Sequence, residues 1–412
     1  MALAETVRPA LARVRAGSVL LGPAFVAAIA YVDPGNVASN VSAGARFGYL
    51  LVWVVLVANL MAGLVQYLSA KLGLVTGLSL PEAVRDRLPR GGRLAYWAQA
   101  ELVAIATDLA EVVGGAIALN LLFGLPLLAG GVVTGVVSMG LLVLQDKRGQ
   151  RPFERAVTGL LAIIALGFLA SAFFEPPSAQ GVFNGFVPRF QGPGSVLIAA
   201  AMLGATVMPH AVYLHSGLAR DRHGHARGRR LTGLLRATRF DVGLAMLLAG
   251  AVNLSMLLLA AVNLQGRSGV DSIAGAHAAV SQTLGTGVAL LFAVGLLASG
   301  LASTSVGAYA GAMIMQGLLR RRIPILLRRL ITLVPAVVVL ALGADPSWAL
   351  VVSQVVLSFG IPFALIPLVR LTSDPGLMGE QVNHRATALV AWLIAAVIVV
   401  LNIVLLYLTV AG

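Results

Sequence analysis

Apolar residues run along this chain in stretches of about twenty, divided by short polar or glycine-rich interruptions. A helix needs about 20 such residues to cross a hydrocarbon core of ~30 Å, so each stretch predicts a membrane span. Eleven spans follow, over residues 19–43, 49–73, 95–122, 125–145, 156–174, 195–218, 240–264, 286–318, 328–343, 348–371 and 386–410. Two of them are interrupted. The first carries Tyr31-Val32-Asp33-Pro34-Gly35-Asn36, and the sixth carries Gly204-Ala205-Thr206-Val207-Met208-Pro209-His210. At about 1.5 Å per residue, Asp33 lies ~21 Å into its span and Met208 ~18 Å into its own, both near mid-bilayer.

Each interruption has a physical reading. An ionisable residue inside a membrane-length apolar run is costly, so Asp33 is expected to face a cavity or a partner. Pro34 removes a backbone donor and Gly35 tolerates unusual dihedrals, so the helix breaks after Asp33. The freed carbonyls then need partners that lipid does not supply. The simpler reading is a proline kink in which Asp33 merely caps the second half-helix. Five spans separate one break from the other, and an odd number per repeat turns the second set upside down. Paired interruptions in two halves point to a carrier site at the repeat interface. The predicted organisation is a tail over 1–18, inverted repeats over 19–174 and 195–371, and an added span over 386–410.

Composition supports a polytopic all-α membrane protein: of 412 residues, 58% are hydrophobic and 11% charged, with a mean hydropathy of +0.92. The formal charge of +13 raises nucleic acid as a partner, but 26 of the 29 Lys+Arg fall in the tail, in alternate loops or at the span ends beside them, leaving Arg46, Arg189 and Arg267. This asymmetry predicts a cytoplasmic N-terminus and an external C-terminus, and makes the charge an orientation signal. No small-residue cleavage site follows the first run, so it is not read as a signal peptide. Zero cysteines exclude disulfides and thiolate ligands. Leu80-Pro81-Glu82-Ala83-Val84 predicts an interfacial helix start, and Pro176–Ser195 an irregular external stretch. The arginine-rich loop from Arg220 to Arg239 reads as a solvated connector; His223 and His225 within it are only a weak candidate metal pair.

Ligand chemistry narrows the function. Asp33 and Asn36 offer hard oxygen, as does a freed carbonyl near Ala205, whereas Met208 offers a soft thioether. That mixture suits Mn²⁺, Fe²⁺, Co²⁺ or Cd²⁺, and the sulfur gains nothing from Ca²⁺ or Mg²⁺. A gap-filling core methionine is the commoner use of the residue; its place before a helix-breaking proline favours the ligand.

Asp33-Pro34-Gly35-Asn36 with Ala205-x-x-Met208-Pro209-His210 closely resembles the Nramp family of proton-coupled divalent transition-metal transporters, nearest its bacterial manganese-transporting branch. The resemblance covers essentially the whole chain. It implies a LeuT-like inverted-repeat fold in a bacterial inner membrane, with the metal held by Asp33, Asn36, the Ala205 carbonyl and the Met208 sulfur. It departs from many members at Leu301, where a polar residue is common, and it lacks the twelfth span that some members have.

Glu101, Asp108 and Glu111 all fall in span three, within about 80° of one another around the helix. Facing lipid they would be prohibitive, so they are expected to line an interior track. The resemblance implies that this track carries protons from Asp33 toward the cytoplasm. Arg328 and Arg329 are expected to pair with Asp108 and Glu101, a structural ion-pair network of Glu101 with Arg329 being the alternative. His210, with a reference pKa of ~6.5, is a candidate relay. Gln66, Gln354 and His215 are candidates for support around the metal or for helix-helix contacts. The expected substrates are a divalent metal and protons, carried by a monomer without a cofactor. The rival readings are a sodium-coupled carrier of a small organic molecule, a channel, and a membrane-embedded aspartyl hydrolase using Asp33 and Asp108.

Overall fold

The computed structural model describes residues 22–170, 176–224, 226–267, 270 and 272–411. The tail with Arg8, Arg13 and Arg15, the first residues of span one, the end of span five and His225 lie outside the described residues. No strand occurs among those described.

Span one is divided into α1 (Pro23–Ala28), a single 3₁₀ turn over Ile29–Tyr31, and α2 (Pro34–Phe47). α3 (Val52–Thr76) follows, then a short α4 (Leu80–Arg85). α4 starts where predicted, because Ser79 and Glu82 form a reciprocal capping box. Spans three to five are α5 (Arg90–Phe123), α6 (Leu127–Arg148) and α7 (Gln150–Leu169). The stretch expected to be irregular contains α8 (Ala179–Gly185), capped by Ser178 through its hydroxyl, 3.2 Å from the Gly181 amide. Span six is likewise divided, into α9 (Gly192–Thr206) and α10 (Pro209–His223). The remainder are α11 (Gly228–Asn263), α12 (Ile273–Leu284), α13 (Thr286–Leu319), α14 (Ile325–Ala341), α15 (Pro346–Thr372), α16 (Pro375–Met378) and α17 (Arg385–Ala411).

Every predicted span therefore has a helical counterpart. Among the described residues, nine helical segments are long and apolar enough to cross a membrane on their own. The count falls short of eleven for two reasons. α2 and α3 run on as one segment, Pro34–Thr76, and α14 has only 17 residues.

α5 and α13 form the central pair, packed through small residues. A Cβ at Gly300 would stand 2.9 Å from the Gly115 amide nitrogen, and one at Gly114 would overlap the ring of Pro34. Such close approach is how membrane helices gain contact without a hydrophobic driving force between them. Outward faces are apolar instead: Leu60, Val136, Leu166, Leu247, Leu389 and Ile403 are all exposed. That surface suits hydrocarbon.

Candidate functional site

The two breaks meet inside the bundle. Asp33 is the N-cap of α2, with Pro34 at the first helical position, where its missing donor costs nothing. Asp33 Oδ1 accepts from the Asn36 amide at 2.7 Å and from Asn36 Nδ2 at 2.7 Å. The capping reading is thus correct for one oxygen only. Asp33 Oδ2 is buried with no donor among the described residues, an arrangement a carboxylate tolerates poorly unless something cationic answers it.

Asn36 Nδ2 also reaches across to the second break, donating to the Ala205 carbonyl at 3.2 Å. Thr206 Oγ1 lies 3.4 Å from Asn36 Oδ1. Met208 is fully buried at the start of α10, and no side chain caps that helix. Asp33, Asn36 and Ala205 are therefore joined directly by hydrogen bonds, and Met208 starts the half-helix that follows Ala205's. Among the described residues no three His, Cys, Asp or Glu side chains converge as a metal cluster. A cation here would meet one carboxylate, one amide, one carbonyl and a thioether, a mixed hard and soft set.

The freed carbonyls of the first break are not open to a ligand. Asn253 of α11 donates to the Tyr31 carbonyl at 2.7 Å, and Ser299 of α13 to the Val32 carbonyl at 2.5 Å. Asn253 is itself held by Asn40, at 3.0 Å. Neither Asn253 nor Ser299 was among the candidate residues. At its other end α1 is tied down by Asp241, whose Oδ2 accepts from the Ala24 amide at 3.2 Å and the Gly22 amide at 3.4 Å.

The supporting candidates divide. Gln66 donates to the Tyr31 hydroxyl, and its Oε1 lies 2.6 Å from His215 Nδ1, so Gln66 and His215 form one chain leading to the residue two before Asp33. Gln354 packs against Gly35, where a Cβ would overlap its amide, and both its polar side-chain atoms are buried without partners. His210 follows Met208 and Pro209 on α10, and both its ring nitrogens are buried and unpartnered.

The acidic stripe on α5 leads away from this point. Glu111 lies one turn before Gly114, the residue packed on Pro34. Its oxygens have no partner, and a Cβ at Gly307 would stand 3.2 Å from Oε2. Next comes Asp108, in a 2.7 Å ion pair with Arg329. Glu101 pairs with Arg328 at 2.7 Å and is the one member of the stripe whose side chain is partly exposed, at 18%. The alternative of Glu101 with Arg329 is thereby corrected. Consecutive residues point about 100° apart, which turns Arg329 toward Asp108 and Arg328 toward Glu101. The Arg329 guanidinium also donates to Ser138 at 3.1 Å and to Thr304 at 2.7 Å. Asp108 is held by Arg329 and Asp33 by Asn36, and no hydrogen bond joins the two aspartates of the hydrolase reading.

The family model described as natural resistance-associated macrophage protein-like matches residues 24–408. The chain belongs to the Nramp family. Among its relatives, the protein of Mycobacterium tuberculosis named divalent metal cation transporter MntH is 65% identical over 394 residues, covering 95% of this chain and 92% of that one. The manganese transporter of Eremococcus coleocola, in complex with an aromatic bis-isothiourea compound, superposes with a TM-score of 0.84 at 31% identity, covering 93% of this chain and 85% of that chain. A nucleobase-cation-symport-1 family transporter, Mhp1, in a closed conformation superposes with a TM-score of 0.60 at 17% identity and shares the fold alone, over 94% of this chain and 89% of that one. The Nramp chain therefore has the LeuT-like architecture with its first and sixth spans broken, and it is a multi-pass membrane transporter, not an enzyme.

Proposed function

We propose that this Nramp protein imports divalent transition-metal ions, Mn²⁺ and also Fe²⁺, Co²⁺ or Cd²⁺, together with protons and by alternating access. The observation that carries the reading is Asp33 Oδ2, a buried carboxylate oxygen with no donor where two helix breaks meet. A cation supplies the missing partner, Asn36 and the Ala205 carbonyl supply further oxygens, and Met208 supplies the sulfur that favours transition metals over Ca²⁺ and Mg²⁺. The relatives named above as a divalent metal cation transporter and a manganese transporter support the same substrate class.

Protons take the α5 stripe. Glu111, next to the Asp33 break and without a partner, accepts the proton displaced as metal arrives. Asp108 and Glu101, each paired with an arginine, lead it to the exposed end of the stripe. His210 stands beside Met208 as a relay. The repeats over 19–174 and 195–371 rock about the site, the N-terminus and the arginine-rich loops are cytoplasmic, and the inner membrane of a bacterium is its place. A monomer with no resident cofactor suffices for this cycle.

The test is uptake by purified protein in liposomes under a negative-inside potential, with internal metal and internal pH followed together. Saturable Mn²⁺ entry with acidification is expected. Metal entry without acidification would overturn the proton coupling and leave the α5 carboxyls as scaffold. An absence of metal entry by folded protein would overturn the substrate class.

A further inference from the structure

Away from the transport site, the structure holds a cavity of about 740 Å³ where α3 ends, α11 begins and the connection from α15 to α17 crosses. Its floor includes Val75, Leu231 and Met378; its rim carries Arg229, Arg236 and one acidic residue, Glu380. Arg229 and Arg236 are seven residues apart on α11, within about 20° of one face. Neither has a carboxylate partner among the described residues.

More positive charge stands behind them. Lys71, one turn before Val75 on α3, is buried, and its ammonium donates to the neutral Asn383 Oδ1 at 2.9 Å, with no carboxylate partner among the described residues. Arg239 lies over the Tyr67 ring, 5.0 Å from its centroid, and Tyr67 and Lys71 are neighbours on one face of α3. Arg229 and Arg236 thus line the cavity with one exposed acid, Glu380, and Lys71 and Arg239 add positive charge on the neighbouring stretches of α3 and α11.

The same stripe of α11 continues past Arg236 without turning. Phe240 and Leu247, about 40° and 20° from it around the helix, are 61% and 68% exposed. A soluble anion would use only the guanidinium end of that stripe. A molecule with an anionic head and a hydrocarbon tail matches both ends.

We propose that this cavity seats the headgroup of an anionic phospholipid, its phosphate between Arg229 and Arg236 and its acyl chain along Phe240 and Leu247. Basic pockets between membrane helices are suited to such headgroups. Glu380 disfavours a second negative charge and accepts from a headgroup hydroxyl, which points to a singly charged polyol phosphodiester such as phosphatidylglycerol. The occupant would bridge α3 and α11 to the connection leading into α17. The inference is independent of which ion the transporter carries.

The test is a titration of the full chain, in neutral detergent, with fluorescent phosphatidylglycerol and, separately, phosphatidylcholine. The parent is expected to bind the anionic lipid at least about tenfold more tightly. R229Q/R236Q is expected to lose that preference, whereas R90Q/R321Q, altered at exposed arginines elsewhere, keeps it. Unliganded Tm and elution volume of each variant establish that it is folded, and F240S/L247S weakens the lipid by the tail alone. Unchanged preference in folded R229Q/R236Q would overturn the site. Full displacement of the lipid by millimolar inorganic phosphate would overturn the lipid assignment in favour of a soluble anion.

Discussion

At the break between α1 and α2, the carbonyls of Tyr31 and Val32 are taken by Asn253 and Ser299, and Asn36 answers one of the two Asp33 carboxylate oxygens. At the break between α9 and α10, the one side-chain donor to the Ala205 carbonyl among the described residues is the Asn36 amide, and Met208 begins its half-helix with no capping side chain. The first break carries the charge and is clamped by two other helices. The second carries no charge, offers a carbonyl and a thioether, and is joined to the first mainly through one asparagine. A carrier needs both kinds of part: an anchor for the cation's charge, and a lightly tied group that follows the ion. The carboxylate and the thioether are accordingly separated onto different helices.

The largest test of that separation is Asp33→Ala, which removes the carboxylate that the first break carries. Metal uptake into liposomes is expected to fall by more than about a hundredfold, a loss of order 3 kcal/mol; a variant retaining a tenth of the parent rate would break the comparison. Met208→Ala should be milder in rate and act on preference, shifting Cd²⁺ against Ca²⁺ by about tenfold, or ~1.4 kcal/mol. An unchanged cation ranking would mean that the second break contributes no selectivity. Asn253→Ala leaves the Tyr31 carbonyl without its donor inside the bundle. A stability loss of about 1–3 kcal/mol is expected, read as a lower Tm of the detergent-solubilised protein; an unaltered Tm would show that the first break is not clamped. Smallest of all, Thr206→Val removes a hydroxyl that already bonds the Met202 carbonyl of its own helix at 2.6 Å. Its effect should stay below about 1 kcal/mol, and a larger one would tie the second break more firmly than its hydrogen bonds indicate.

Asp33, Asn36 and Met208 were legible in the sequence because a proline, an acid or an amide stands out inside an apolar run. The same contrast revealed the α5 carboxyls. Asn253, Ser299, Ser138 and Thr304 were not legible, because a single small polar residue in a span carries no mark of the face it occupies. The pairing of Arg328 and Arg329 was open for a related reason: the rotation of α14 decides which of two neighbours faces α5, and spacing along the chain does not encode it. α8 was missed because seven residues between proline and glycine leave no room for a periodic pattern.

The ion pairs on α14 also bear on how the molecule is made. That helix has 17 residues and contains Arg328 and Arg329, both buried in the finished protein. An arginine at the centre of a nascent segment opposes membrane entry by about 2.5–3.5 kcal/mol, and each of these two, one turn from the helix start, opposes it by less. The carboxylate that answers Arg328 was synthesised 227 residues earlier, on α5. The chain therefore carries its own order of assembly, in which α5 waits in the bilayer before α14 leaves the translocation channel. Ile325–Ala341 placed alone in a glycosylation-mapped insertion assay should enter poorly. Within the whole chain it should enter well, and poorly again when Glu101 and Asp108 are made amides; efficient entry of the isolated segment would remove the dependence.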